Sequence, residues 1–255
     1  MYSFDAKKEI NRIVKFIRNY YEENKLGGVV LGISGGKDSA VVAALMVKAL
    51  GTENVVGLTL PCHSNDSDKI DAHLISDYYG FKMYNIDLTN TFDAFKKEIY
   101  NNIGSYSDDE LKNSDINLKP RLRMASLYYM SALLSSINNK TYLVAGTSNK
   151  CELYVGYFTK GGDSVSDIAP IAEYTVSEVI AMGEELGVPK EVLYKTPSDG
   201  LSNMSDEDKL GVTYAEIETT MNGGSIKSAS LEKIRKLHDG SRHKFNTPTC
   251  KREKS

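Results

Sequence analysis

Cysteine is scarce in this 255-residue chain. Cys62, Cys151 and Cys250 are odd in number, far apart and without a CxxC pair, which argues against a disulfide framework or a zinc site. No apolar run is long enough to span a bilayer. The opening stretch MYSFDAKKEINRIVKF lacks the apolar core of a signal peptide. A net charge of −3 supplies no broad basic field, so nucleic acid is not an expected partner. Internal repeats and low-complexity tracts are also missing. A cytoplasmic protein with no membrane partner is the expectation. What remains is ordinary: 41% hydrophobic and 25% charged residues, enough chain for one large domain or two small ones around a sizeable core.

Periodicity orders the elements. Residues 2–25 read as an amphipathic helix with Ile10, Ile13, Val14, Ile17 and Tyr21 on one stripe. Then come a buried strand at 29–33, a helix at 38–50 ended by Gly51, a strand at 55–60, a helix at 67–79, a strand at 83–88 and a helix at 91–103. Residues 106–118, polar and acidic, are expected to form a mobile surface segment. A helix at 121–137 and a strand at 142–145, followed by Gly146-Thr147, complete the alternation. Strands alternating with helices predict an α/β fold, a three-layer, doubly wound, Rossmann-like parallel sheet with helices on both faces. Right-handed crossovers would bring the loops at Ser34, Pro61, Asp87 and Gly146 to one edge. The second half is less regular. It reads as a turn at 159–163, a helix at 177–186 ended by Gly187 and Pro189, a loop at 197–208, helices at 214–221 and 229–238, and a polar tail at 245–255. The loop at 196–211 is a candidate lid.

The most telling stretch is Leu31-Gly32-Ile33-Ser34-Gly35-Gly36-Lys37-Asp38-Ser39. A β-branched strand breaks into glycines that open a helix, which presents backbone N–H groups to an anion. Lys37 adds a mobile positive charge, Ser34 and Ser39 add hydroxyls, and Asp38 adds a carboxylate able to hold a metal. The Walker spacing fails, because Leu31 stands five residues before Gly36 and Asp38 follows Lys37. The dinucleotide fingerprint fails as well, on the spacing of Gly32, Gly35 and Gly36. What is left, S-G-G-x-D-S after a strand, resembles the signature of the N-type ATP pyrophosphatases (adenine nucleotide α-hydrolase-like fold). An ordinary strand-to-helix turn is the bland alternative.

Further segments narrow the resemblance. Asn117-Leu118-Lys119-Pro120-Arg121-Leu122-Arg123-Met124, Gly146-Thr147-Ser148-Asn149-Lys150-Cys151-Glu152 and the run 156–167 are similar to NAD synthetase segments. So are Lys195-Thr196-Pro197-Ser198 and the run 205–211. The resemblance covers about 33–244 in order and implies an ammonia-dependent NAD synthetase. Such an enzyme adenylates the nicotinate carboxylate of deamido-NAD with ATP, and ammonia then displaces AMP. By resemblance, Asp38 and Glu152 hold Mg²⁺. Gly32, Ile33, Ser34, Gly35, Gly36, Lys37, Asp38 and Ser39 cradle the ATP phosphates, with Thr147 and Ser198 also on ATP. Arg121, Lys160, Asp167, His243 and Lys244 contact deamido-NAD. Asp38, Lys37 and Glu152 are the residues expected to drive catalysis.

The resemblance also sets partners and exposes departures. It implies a homodimer, since the family builds its deamido-NAD site across a subunit interface. About thirty residues precede the motifs, too few for a glutaminase domain, so free ammonia is the expected nitrogen source. The chain is expected to be a single domain, with a core at about 26–190 and a lid with C-terminal helices at about 191–255. Val176 or Thr175 stands where the family usually has a phosphate-binding Lys, which shifts attention to Lys37. Pro120 replaces an Ala and is expected at the first helical position. Phe245 stands where Arg is usual. Two readings stay open beside this one: another N-type ATP pyrophosphatase, such as a GMP synthetase ATPase subunit or tRNA-modifying ligase, and a non-catalytic adenine-nucleotide module.

Overall fold

The computed structural model describes residues 4–64, 66–104, 106–196 and 205–250. Helix α1 (Ala6–Glu23) begins at Asp5, whose carboxylate caps the Lys8 N–H at 3.0 Å. It leads into β1 (Gly28–Gly32), α2 (Lys37–Leu50), a 3₁₀ turn at Thr52–Asn54, β2 (Val55–Thr59), α3 (Asp66–Tyr79) and β3 (Lys82–Asn85). Then follow α4 (Thr89–Ile103), α5 (Asp108–Asn138), β4 (Tyr142–Ala145) and α6 (Lys150–Val155). The chain continues through α7 (Val176–Leu186), α8 (Lys190–Leu193), α9 (Asp206–Leu210), α10 (Tyr214–Met221) and α11 (Ser228–Phe245). Among the described residues no helix is long and apolar enough to cross a membrane.

The sheet order is β3-β2-β1-β4, with every pairing parallel. Register puts Val29 beside Val55 on one side and beside Leu143 on the other. Strands buried on both faces need continuous apolar runs, and Val29, Val30 and Leu31 are all fully buried. Helices α1, α2, α3 and α7 cover one face and seal a core that includes Ile17, Leu45, Ile75 and Met182. The stripe of α1 (Ile10, Ile13, Val14, Ile17, Tyr21) therefore belongs to the domain's own core. Helices α4 and α5 cover the other face over Val30, Val56 and Leu58, with Phe92 of α4 buried in the same cluster. The predicted doubly wound parallel sheet is what the chain forms. Because β2 and β4 flank β1 on opposite sides, the loops after β1 and β4 diverge and leave a crevice between them.

A third apolar cluster lies off the sheet. Cys151, Val155, Val176, Leu210, Val212, Tyr214, Ile217 and Ile234 bring α6, α7, α9, α10 and α11 together. Val176, at the first position of α7, is committed to this cluster. Thr175 caps the same helix in a capping box with Glu178.

Four expectations need correction. Residues 106–118 are not a mobile segment, because α5 starts at Asp108 and runs 31 residues. The Glu110 carboxylate accepts the Ser107 N–H at 2.8 Å, acidic residues suit a helix N-terminus, and Asp115 pairs with Lys96 of α4. Pro120 lies inside this helix rather than at its start. Its ring packs against Gly162, where even a methyl would come within 3.0 Å of Pro120 Cβ. Helix α11 runs on to Phe245, past the expected end at 238. The stretch expected as loop at 197–208 already contains the start of α9 at Asp206, while 197–204, with Ser198, lie outside the described residues.

Candidate active site

Strand β1 ends at Gly32 and the chain turns sharply into α2. Gly35 sits at φ +77°, a left-handed conformation that suits glycine and aims the following N–H groups inward. The loop is laced by its own serines: the Ser34 N–H donates to Ser39 Oγ (3.2 Å), the Gly36 N–H to Ser34 Oγ (3.3 Å), and Ser39 Oγ–H to the Gly36 carbonyl (3.0 Å). Gly36 caps α2 without a side chain, so the helix start faces the crevice with no carboxylate or hydroxyl capping it. That is a ready seat for phosphate oxygens.

Lys37 departs from the mobile cation expected of it. It is only 6% exposed, and Nζ donates to Asp38 Oδ2 at 2.9 Å. Burial alone would lower its pKa, but Asp38, Glu152 and Asp206 reverse that and raise it, so the ammonium is fixed and charged. Asp38 Oδ1 accepts from Asn149 Nδ2 at 3.2 Å. Asn149, fully buried, spends its other amide atom capping α6: Oδ1 accepts from the Cys151 and Glu152 N–H groups at 3.0 and 3.1 Å. The Glu152 carboxylate returns the contact, accepting the Asn149 N–H at 3.1 Å. One residue, Asn149, thus ties two carboxylates from different elements into one corner, its side-chain amide on Asp38 and its backbone N–H on Glu152. Burial, and then the neighbouring Asp38 charge, hold the Glu152 carboxyl well above the usual carboxylate range.

Two carboxylates forced together call for a cation. Among the described residues no group of three or more His, Cys, Asp or Glu side chains is arranged to hold a metal alone. The donor set does fit Mg²⁺, which takes one or two carboxylates and completes its shell with water and phosphate oxygens.

The loop and the acidic corner open on a cavity of about 520 Å³. Gly32 to Ser39, Thr147 and Glu152 line it, as do Lys244 and Arg123. Arg121, Lys160, Asp167 and His243 do not; they stand outside its lining. Arg121 donates Nε and Nη2 to the Lys160 carbonyl (3.3 Å each), and Lys160 Nζ donates to the His243 carbonyl (2.9 Å). Lys244 Nζ donates to the Gly156 and Phe158 carbonyls at 2.7 Å each. The Asp167 carboxylate accepts from the Val144 N–H (2.8 Å) and the Tyr128 hydroxyl (3.1 Å), so it stitches the edge of β4.

Sequence reasoning passed over several residues here. Arg123, part of the 117–124 segment but given no role there, faces the cavity and donates to the Leu60 carbonyl at 3.1 Å. Asn149 was not singled out, although its place just before an acidic third helical residue is a capping-box signal. Asp206 is buried against the Tyr157 hydroxyl, 3.0 Å away, and lines the same cavity.

A family model described as NAD synthase matches residues 9–248. The chain belongs to the NAD synthase family. The NH(3)-dependent NAD(+) synthetase of Alkaliphilus metalliredigens is 39% identical over 244 residues, covering 94% of this chain and 96% of that protein. Among solved structures, NMN synthetase from Francisella tularensis superposes with a TM-score of 0.87 at 33% identity, covering 98% and 99% of the two chains. NH3-dependent NAD synthetase from Campylobacter jejuni gives 0.76 at 29% identity, covering 98% and 100%. Family membership makes the protein a ligase that forms a C–N bond, with ATP as co-substrate.

Proposed function

We propose that this NAD synthase amidates the nicotinate carboxylate of deamido-NAD with ammonia. A carboxylate is a poor electrophile. Attack of its oxygen on the α-phosphorus of ATP expels pyrophosphate and makes an acyl adenylate, and ammonia then adds at the carbonyl carbon and expels AMP. The observation that carries this reading is the joining of a phosphate loop and a carboxylate pair in one cavity. The loop N–H groups and Lys37 bind the β and γ phosphates. Asp38 and Glu152 would hold Mg²⁺, which when bound supplies the charge that lets two anions approach. Thr147 lines the ATP end, and Ser198 is assigned to ATP on the motif alone. Arg121, Lys160, His243 and Lys244 form the dinucleotide side. The cations of Arg121, Lys160 and Lys244 rest on backbone carbonyls, neutral partners that a substrate phosphate outcompetes. Asp167 serves that side by fixing the edge of β4.

Ammonia is the nitrogen source in this reading. Cys62 and Cys151 are buried and their thiols are pushed up, that of Cys151 to about 12, which suits neither to the thiolate attack that glutamine hydrolysis needs. Two apolar stripes support the expected homodimer: Phe95, Ile99 and Ile103 on α4, and Tyr129, Leu133 and Ile137 on α5 are all exposed. The chain reads as one domain, the core at about 26–190 followed by the lid and C-terminal helices.

The test is incubation with ATP, Mg²⁺, ammonium and deamido-NAD, followed by assay of NAD, AMP and pyrophosphate. Equal amounts of the three products are expected, with no turnover on glutamine. ATP binding without NAD would overturn the reading. The overlay on an NMN synthetase favours one second reading, in which nicotinate mononucleotide is the acceptor. Paired kcat/KM values for the two acceptors decide between them.

A further inference from the structure

The buried ammonium of Lys37 has a conflict of duties. Its hydrogen-bond partner is Asp38 Oδ2, and Asp38 is also the carboxylate proposed to hold the divalent cation. An oxygen lone pair turned to a metal is lost to the ammonium, and phosphate oxygens entering the loop draw on the same donor. A buried charge left without compensation is costly. Lys37 needs a second partner that neither metal nor phosphate can claim.

Tyr214, the first residue of α10, meets that need. Its ring centroid lies 5.6 Å from Lys37 Nζ, within cation–π range. The residue is 4% exposed, so solvent does not screen the attraction. A ring face draws a cation through its quadrupole while offering no oxygen to a metal, so the contact survives when Asp38 turns away. The hydroxyl is the less useful part. It finds no hydrogen-bond partner among the described residues, and burial beside Glu152 and Asp206 keeps it protonated. A buried hydroxyl without a partner destabilises, so the ring is what this position uses. Val176, buried at the start of α7, brings no cation to the phosphates, which leaves the placement of Lys37 more consequential.

We infer that Tyr214 is a positioning residue: its ring holds the Lys37 ammonium at the phosphate loop while Asp38 engages the cation and ATP enters. This rests on the reading of the loop given under the proposed function. The ring contact also joins the C-terminal cluster to the loop, and the Tyr214 N–H is anchored on the cluster's side by Glu207 Oε1 at 2.8 Å.

The experiment replaces Tyr214 by Phe, then by 4-fluoro-, 3,5-difluoro- and 3,4,5-trifluorophenylalanine, which drain the ring face with little change of shape. Each protein is assayed for KM of ATP, KM of the nicotinate substrate and kcat, and melted thermally. With Tyr214→Phe as reference, the KM of ATP is expected to climb with each fluorine, about five-fold by the last, while the KM of the nicotinate substrate stays level. Tyr214→Phe itself should melt no lower than the parent. A flat series overturns the proposal. Repeated with Lys37→Met, the series should lose its slope; a slope that persists there overturns it too. If Lys37→Met leaves the KM of ATP unaltered, the phosphate-loop role of Lys37 fails. A flat series with Lys37-sensitive ATP binding removes Tyr214 alone.

Discussion

The two sides of the cavity hold their charges in opposite ways. On the floor, Lys37, Asp38, Glu152 and Asp206 are gathered from α2, α6 and α9: Lys37 pairs with Asp38, Asn149 bonds both Asp38 and Glu152, and Asp206 accepts from the Tyr157 hydroxyl while its charge acts on Lys37. On the dinucleotide side, which we call the wall, Lys244 lines the cavity while Arg121 and Lys160 stand outside its lining, and the three rest on the carbonyls of Lys160, His243, Gly156 and Phe158. Ion-to-ion contact in a low-dielectric corner fixes geometry before substrate arrives, which is what stabilising a charged transition state requires. Cation-to-carbonyl contact keeps an arm folded yet available, which is what binding and releasing a large anion requires. Catalysis and recognition are thus separated within a single crevice.

The comparison breaks most readily at the floor. Asp38→Asn keeps the shape and the bond from Asn149 but removes the charge that would meet the cation. A loss of kcat of about 10²–10³-fold is expected in NAD formation; a loss under ten-fold would mean that the floor is not where the chemistry is stabilised. On the wall side, the largest effect falls on its seat. Gly156 sits at φ +68°, and a methyl there would stand 2.0 Å from Ser241 Cβ of α11. Gly156→Ala is expected to cost about 3 kcal/mol in urea unfolding, combining left-handed strain with displacement of α11.

Those two residues also mark how far the chain could be read in advance. The sheet, α2 and α10 were legible because their signals are local: β-branched runs, a glycine-opened helix, and the Thr213/Glu216 capping box that starts α10 at Tyr214. The N-terminal half of α5 was not. It is held by Lys96 from α4 and by Thr159, whose hydroxyl donates to Asn117 Oδ1 at 2.9 Å, and neither contact has a local signature. Pro120 then looked like a beginning. The last turn of α11 hides in the same way, since Lys160 grips the His243 carbonyl from 83 residues away. The motif singled out Lys37 as a mobile charge, but the ammonium is buried with Tyr214 and Asp206 as neighbours, which no reading of a nine-residue loop contains.

Lys160→Ala sharpens the contrast. Its ammonium is exposed and bonded to one carbonyl, so little stability is at stake. A rise of about ten-fold in the KM of deamido-NAD is expected, with the KM of ATP unmoved. Equal changes in both would erase the division between floor and wall.

The smallest effect expected is one of pH, again on the floor. Burial and Asp38 raise the Glu152 carboxyl in the folded protein, so the native state keeps a proton that the unfolded chain releases. Its contribution to stability is therefore greatest below the ordinary glutamate range. It is lost as pH climbs from there through the raised folded value. Without Mg²⁺, thermal melting should show a decline across that interval, and Glu152→Gln should flatten it by about 2–4 °C. Gln keeps the carbonyl oxygen that accepts the Asn149 N–H, so the cap of α6 is preserved. Added Mg²⁺ should raise the melting temperature of the parent more than that of Glu152→Gln, and most at the alkaline end, where the Glu152 carboxyl has lost its proton. Parallel pH profiles for the two proteins would show that the acidic corner carries no stored repulsion, and the floor would then differ from the wall in burial alone.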